Sequence, residues 1–281
     1  METVGEPPDK ILYHYTNQKG LLGILQSREI WAAHSQYLND RSEYLHALEL
    51  CKAEIADRKS KLEPESETAR VLSRMEEAFK FRMEGINLCV CSFSEDSDSL
   101  PQWRAYSRGG IGFAIGFSAS FLKNVAALHH WRLDKCVYDA GKQKLVVSTA
   151  IDQLLSIVLS QTTSIPASAG LSANLSEYAL FLKHKSFEEE REWRIVSQPI
   201  NCTNKRLCFR EGKSVLIPFY KLPLVDAQNN FQLKHVVVGP TADEHLACKS
   251  VRTLLLRENL SSFRIDEEVP ISISQVPYRD W

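Results

Sequence analysis

Apolar positions along the chain fall into short runs of period two, separated by longer stretches of helical spacing. Residues 11–15, 30–33, 86–94, 111–117 and 132–138 read as strands, as do 190–196, 207–210, 214–218 and 235–238. In the third of these, Ile86, Leu88, Val90, Ser92 and Ser94 face one way, and Asn87, Cys89, Cys91 and Phe93 the other. Helical spacing predicts helices over 19–26, 41–59, 67–83, 100–106, 142–160, 172–184 and 242–258. Thr16 or Asn17 is placed to cap the first helix, Ser99 with Pro101 to open the fourth, and Ser118 to start one after residue 117. Residues 263–265 read as a final strand. Gly112 and Gly116 inside a strand imply another backbone or a ligand passing close by.

Strands interleaved with helices, without a repeat, a low-complexity tract or a long linker, predict one α+β domain over residues 11–281. Residues 1–10 read as a disordered N-terminus, and the helices around 41–84 as an insertion in which Pro64 marks a turn. With 281 residues, 44% of them hydrophobic, the chain can bury a sizeable core. A formal net charge of -1 argues against a surface that tracks a phosphate backbone or an anionic membrane along its whole extent. The seven cysteines lack C-x-x-C spacing and read as reduced thiols. With no secretory signal pattern and no apolar run near the roughly 20 residues of a membrane helix, the expectation is a cytoplasmic protein without a membrane partner.

Three stretches put polar groups where strands usually carry apolar ones: Tyr13-His14-Tyr15-Thr16, Cys91-Ser92-Phe93-Ser94-Glu95 and Glu190-Arg191-Glu192-Trp193-Arg194. If residues 190–196 are extended, Glu190, Glu192 and Arg194 share one side, and Arg191, Trp193 and Ile195 the other. Taken singly, each has a bland reading: a solvated outer strand, a hydrogen-bonding histidine, hydroxyls bonded to nearby backbone. Together they point to one shared site. There is no Gly-rich phosphate loop, no H-E-x-x-H and no G-x-S-x-G. A metal-dependent nuclease would draw on Asp40, Glu43, Glu190, Glu192 and His14, which no local spacing pairs. A cysteine hydrolase would need Cys89 or Cys91 beside a histidine, yet both sit in an apolar strand. A non-catalytic module binding a nucleotide or a protein would use the same polar strand faces.

The order His14-Tyr15-Thr16, Ser92-Phe93-Ser94, Glu190-Arg191-Glu192 resembles the three-part signature of the ADP-ribosyltransferase superfamily. The whole chain resembles the bacterial family known as domain of unknown function 2971. The matching pieces are Tyr13-His14-Tyr15-Thr16, Leu38-Asn39-Asp40 with Glu43, Ser92-Phe93-Ser94-Glu95, Gln102-Trp103-Arg104-Ala105-Tyr106, Gly112-Phe113-Ala114-Ile115-Gly116-Phe117, Glu190-Arg191-Glu192-Trp193-Arg194 and Val238-Gly239-Pro240.

These resemblances imply an ADP-ribosyltransferase-like mixed or split β-sheet core with the three motifs on adjacent strands. They imply NAD as substrate and transfer of ADP-ribose to a protein or nucleic-acid acceptor, in a toxin or phage-defence setting. Glu192 would then stabilise the oxocarbenium-like sugar, and Glu190 would orient or deprotonate the acceptor. His14 would hold the adenosine ribose, Thr16 would belong to the same cofactor-binding segment, and Ser92 or Ser94 would bond Glu192 or the nicotinamide ribose. Tyr15 and Phe93 would stack on a ring. Arg104 or Arg194 would meet the pyrophosphate, unless Arg194 neutralises the two glutamates instead. His14 stands where many superfamily members have arginine, and Ser92-Phe93-Ser94 where histidine-bearing members have tyrosine, so the acceptor stays open.

Overall fold

Alternation of apolar residues builds a mixed sheet in the computed structural model, which describes residues 9–38, 41–81, 87–107, 110–160, 177–262, 264 and 268–277. The strands are β1 (Ile11–Asn17), β2 (Glu29–His34), β3 (Cys89–Ser94), β4 (Gly112–Ser118), β5 (Arg132–Lys135), β6 (Glu192–Val196), β7 (Leu207–Glu211), β8 (Leu216–Pro223), β9 (Leu233–Val238) and β10 (Ile271–Ile273). The helices are α1 (Gln18–Ser27), α2 (Arg41–Ser60), α3 (Glu67–Phe81), α4 (Leu100–Tyr106), α5 (Ala119–Leu128), α6 (Ala140–Ser160) and α7 (Glu244–Arg257). The main path runs β10-β9-β4-β1-β3-β2-β8-β7, with β6 and then β5 branching from β3. Every pairing is antiparallel except that of β10 with β9. The fold is therefore α+β with a mixed sheet.

One face of the sheet carries the main core. Leu12, Cys91, Phe93, Ile115, Phe117 and Ile195 pack there against Leu21 and Leu25 of α1, Phe121 and Leu122 of α5, and Val251 and Leu255 of α7. On the other face two small clusters form, one around Trp103 with Tyr13 and Tyr15, the other around Val90 and Val196 with Leu180 and Phe181. A separate apolar cluster joins α2 and α3 to α6 through Ile55, Leu72, Met75 and Ile151. The helices of residues 41–81 thus find their partner in α6, a helix far along the chain.

Several elements differ from the sequence expectation. The strand expected from residue 190 begins at Glu192, because Arg191 is left-handed (φ 43°) and residues 185–190 form a 3-10 turn. Of the helix expected over 172–184, residues 172–176 lie outside the described residues, 177–179 are helical, and the chain then turns. Ser99 occupies the cap position of α4 but makes no side-chain cap bond. The strand expected from Arg132 pairs only as far as Lys135. Strand β10 was not expected, since Ile271-Ser272-Ile273 is too short a run to register. Residues 1–8, the Asn39-Asp40 turn, Ile86, Phe263 and Ile265 lie outside the described residues.

Side chains, not a ligand, fill the space beside Gly116. A Cβ there would sit 2.8 Å from Ile11, 2.9 Å from Tyr13 and 3.2 Å from His235. Gly116→Ala is expected to lower stability by roughly 1–3 kcal/mol through overpacking. Urea denaturation measures it, and an unchanged midpoint would mean that these neighbours yield freely.

Candidate functional site

The site forms where the sheet divides. On one side β3 pairs with β6 from Val90 to Ser94, setting Ser94 opposite Glu192 and Ser92 opposite Arg194. On the other side it pairs with β2 at Cys89 and Val90, and with β1 only at Tyr13↔Ser94. Between those points His14 bridges the opening, with Nδ1 3.0 Å from the Ser92 carbonyl oxygen. A carbonyl only accepts, so Nδ1 carries the proton and stands in for a ladder hydrogen bond that the diverging strands cannot make. Burial lowers the His14 pKa against the opposing pull of the Ser92 carbonyl, which keeps the ring neutral at physiological pH. Nε2 is then an acceptor without a protein partner among the described residues.

Cys91 Sγ lies 4.0 Å from the same Nδ1. Burial, with Glu192 adding to it, pushes the thiol's pKa far up, and Nδ1 already donates to Ser92. Such a sulfur is not poised as a nucleophile. The cysteine-hydrolase reading has no support in this geometry.

Glu192 is the first residue of β6 and is buried, as are Lys183 and Arg194. Its Oε1 accepts from Arg194 Nε at 2.8 Å, and its Oε2 from Arg194 Nη2 at 3.0 Å and Lys183 Nζ at 2.6 Å. Lys183 Nζ also bonds Glu190 Oε2 at 2.6 Å, so Glu190 joins the cluster from the end of its 3-10 turn although it is not on the strand. Arg194 donates from Nη1 to the Leu180 carbonyl at 2.7 Å. Of the two roles open to Arg194, the geometry matches neutralisation of Glu192. Desolvation acts to raise the Glu192 pKa, but Arg194 and Lys183 outweigh it and hold the carboxyl at about 2. A carboxylate offers about four lone-pair sites, and three are taken here, leaving one on Oε1.

Around this anion lies a narrow cleft of about 30 Å³, lined by Tyr13, His14, Tyr15, Ser92, Phe93, Ser94, Gln102, Tyr106, Glu190 and Glu192. That is room for about two waters. All three sequence-predicted segments therefore meet in one place. Thr16 and Arg104 are not among the lining residues. Ser94 donates to the Glu190 carbonyl at 2.8 Å, so its hydroxyl positions the turn and does not bond Glu192. The Tyr15 hydroxyl is held between the Asp96 carbonyl and the Ser99 amide, and Phe93 belongs to the main core, so neither ring stands open for stacking. Among the described residues no group of three or more His, Cys, Asp and Glu could hold a metal, while Asp40 and the side chain of Glu43 lie outside them.

Sequence reasoning missed Lys183, and it noted Gln102 and Tyr106 only within a matching piece, with no role at the site. Lys183 fell inside an expected helix, where a lysine reads as solvated, although it directly follows the apolar Leu180-Phe181-Leu182. Tyr106 closes α4, and desolvation with nearby Glu192 and Glu190 pushes its phenol up to about 12. Tyr138 also escaped notice; its hydroxyl accepts from the Glu192 amide at 2.9 Å.

Residues 102–195 match the model of a family described as a protein of unknown function, DUF2971. The match supports the resemblance to that family and carries no named activity. It covers about a third of the chain, from α4 into β6. Gln102, Tyr106, Lys183, Glu190, Glu192 and Arg194 fall within the DUF2971 match; His14 and Ser92 lie before it. No curated protein and no solved structure matches the chain. No helix among the described residues is long and apolar enough to cross a membrane.

The depressed Glu192 pKa fixes the sign of an acid effect. Its contribution to stability is complete above the usual value of 4.5 and is lost as pH falls toward about 2. Lys183→Met leaves Glu190 and Glu192 with fewer counter-charges and is expected to cost roughly 3 kcal/mol at neutral pH. The loss should shrink as the medium approaches pH 2. Chemical denaturation at several pH values tests this, and a loss independent of pH would contradict it.

Proposed function

We propose that the protein is an NAD-dependent ADP-ribosyltransferase that acts at the cleft between β1, β3 and β6. One observation carries the reading: His14, Ser92 and Glu192, from three distant segments, line a single cleft around a buried, ionised carboxylate. In this reading the nicotinamide–ribose bond breaks with its electron pair leaving on nicotinamide. The sugar becomes cationic, and the fixed Glu192 anion stabilises that charge. The remaining lone-pair site on Oε1 suits a ribose hydroxyl. A nucleophilic oxygen or nitrogen of a macromolecular acceptor then bonds the sugar carbon, and Glu190, partly exposed at the edge of the cluster, takes its proton. His14 Nε2 accepts from a ribose hydroxyl. With about 30 Å³ of room, the cleft admits NAD only when Gln102 and Tyr106 of α4 move outward.

A second reading has its own support. Arg194 and Lys183 leave the ion cluster nearly neutral, which weakens the field that a developing cation would meet, and the cleft is narrow. A module that binds a nucleotide or a protein without turnover fits both facts.

Release of nicotinamide from NAD, with a cell extract supplied as acceptor, separates the two. Wild type is expected to release it and Glu192→Gln to be slower by roughly 100-fold or more, with binding little changed. His14→Ala should weaken NAD binding in calorimetry while leaving the unfolding midpoint nearly in place. Binding of NAD without release would favour the module. No binding at millimolar NAD would remove the transferase reading.

A further inference from the structure

A groove of about 540 Å³ opens where the end of α1, the start of β2, the end of β8 and the end of α7 come together. It shares no lining residue with the Glu192 cleft, so a ligand bound in it would not depend on the transferase reading. Three non-glycine residues with left-handed backbone line it: Arg28 (φ 57°), Asn229 (φ 64°) and Asn259 (φ 53°). Asparagine tolerates that region well, whereas arginine gains nothing from it. Arg28 closes α1 with its amide bonded to the Ile24 carbonyl at 3.0 Å, a position where glycine is the usual choice. The backbone therefore gives no reason for arginine here, and its side chain must supply one.

That side chain is held in place but incompletely matched. Nη2 donates to the Glu258 carbonyl at 2.6 Å, and the guanidinium carbon lies 5.0 Å from the centre of the Phe231 ring. Nη1 is buried without a hydrogen-bond partner. Guanidinium groups are strong, forked donors, and an unmatched buried nitrogen on one calls for an acceptor. Arg206, half exposed, uses Nη1 on Glu29 at 3.0 Å and keeps its other nitrogens for a further contact.

We propose that this groove binds a small polar carboxylic acid whose carboxylate is held by Arg28 and Arg206. Among the lining residues two guanidiniums stand against the one carboxylate of Glu29, and Glu258 beside the groove offsets Arg28 further, which suits a singly charged carboxylate better than a phosphate of charge about −1.5 to −2. The exposed amides of Asn229, Asn230 and Asn259 donate to and accept from an uncharged polar body. Because Nη1 is shut off from solvent, the acid reaches it through a side-chain shift at the rim of the groove.

The test is thermal unfolding of the full chain with sodium formate, lactate or glutamate, each up to roughly 10 mM, where a site of millimolar affinity is mostly filled. Sodium chloride at matched ionic strength and inorganic phosphate are the controls. At least one of the acids is expected to raise the midpoint saturably, and Arg28→Gly and Arg206→Gln should each abolish the rise. Without added acid, Arg28→Gly should unfold near the wild-type midpoint, since the gain of glycine in a left-handed backbone offsets the lost contacts with Glu258 and Phe231. If that variant fails to fold, Arg206→Gln still carries the test. A midpoint indifferent to all three acids overturns the proposal, as does a rise that survives in both variants. A larger rise with phosphate overturns the choice of carboxylate.

Discussion

Four charged groups at the branch of the sheet impose the constraint on which the rest of this site depends. Lys183, Glu192 and Arg194 are nearly closed off from water, and Glu190 adds a second carboxylate at 25% exposure. Removing such ions from water costs several kcal/mol each, and their mutual attraction offsets that only when geometry is good and the remaining donors are matched. Here it is good: Arg194 grips Glu192 with two nitrogens and sends a third to the Leu180 carbonyl. Apolar side chains of similar volume would serve stability as well or better. Such a cluster is thus weak evidence for stability, and the proposed function gives its ionised carboxylate a use.

The surrounding architecture keeps that carboxylate in place. Glu192 is the first strand residue after a left-handed Arg191, and its amide is tied to the Tyr138 hydroxyl. The turn before it is fixed by Ser94, whose hydroxyl reaches the Glu190 carbonyl. On the far side of β3, His14 fills the opening between strands and so gives the cleft a neutral wall with an acceptor nitrogen. Asp98 fastens the loop after β3, accepting from Trp103 Nε1 at 2.7 Å and from the Gln275 amide at 2.7 Å. The cleft is thus narrow and well ordered at its floor, while its upper wall, α4, rests on a single buried anchor, Trp103.

Much of this was legible in the sequence, for a physical reason. Strands with one buried face alternate, so His14, Ser92, Ser94 and Glu192 stood out as polar groups in apolar patterns, and these do gather at the β1, β3 and β6 junction. What escaped depended on contacts between distant segments. Lys183 looked like an exposed helical lysine because nothing local announces two carboxylates waiting for it. Alternation starts the strand at Glu190 because it cannot reveal that Arg191 adopts a left-handed backbone. Strand β10 is defined by its parallel pairing with β9 and not by its own three residues. The unmatched nitrogen of Arg28 is likewise invisible until α7 and Phe231 close around it.

The central claim is that Glu192 is an anion held ready for a ligand, and its own carboxylate carbon reports on both halves of it. With the protein labelled with carbon-13 at glutamate Cδ, and the resonance assigned by its loss in Glu192→Gln, the signal can be followed while NAD is added at neutral pH. The account predicts a chemical shift typical of an ionised carboxylate that moves saturably as NAD binds. A resonance at the position of a protonated acid, or one that stays still through millimolar NAD, would contradict it.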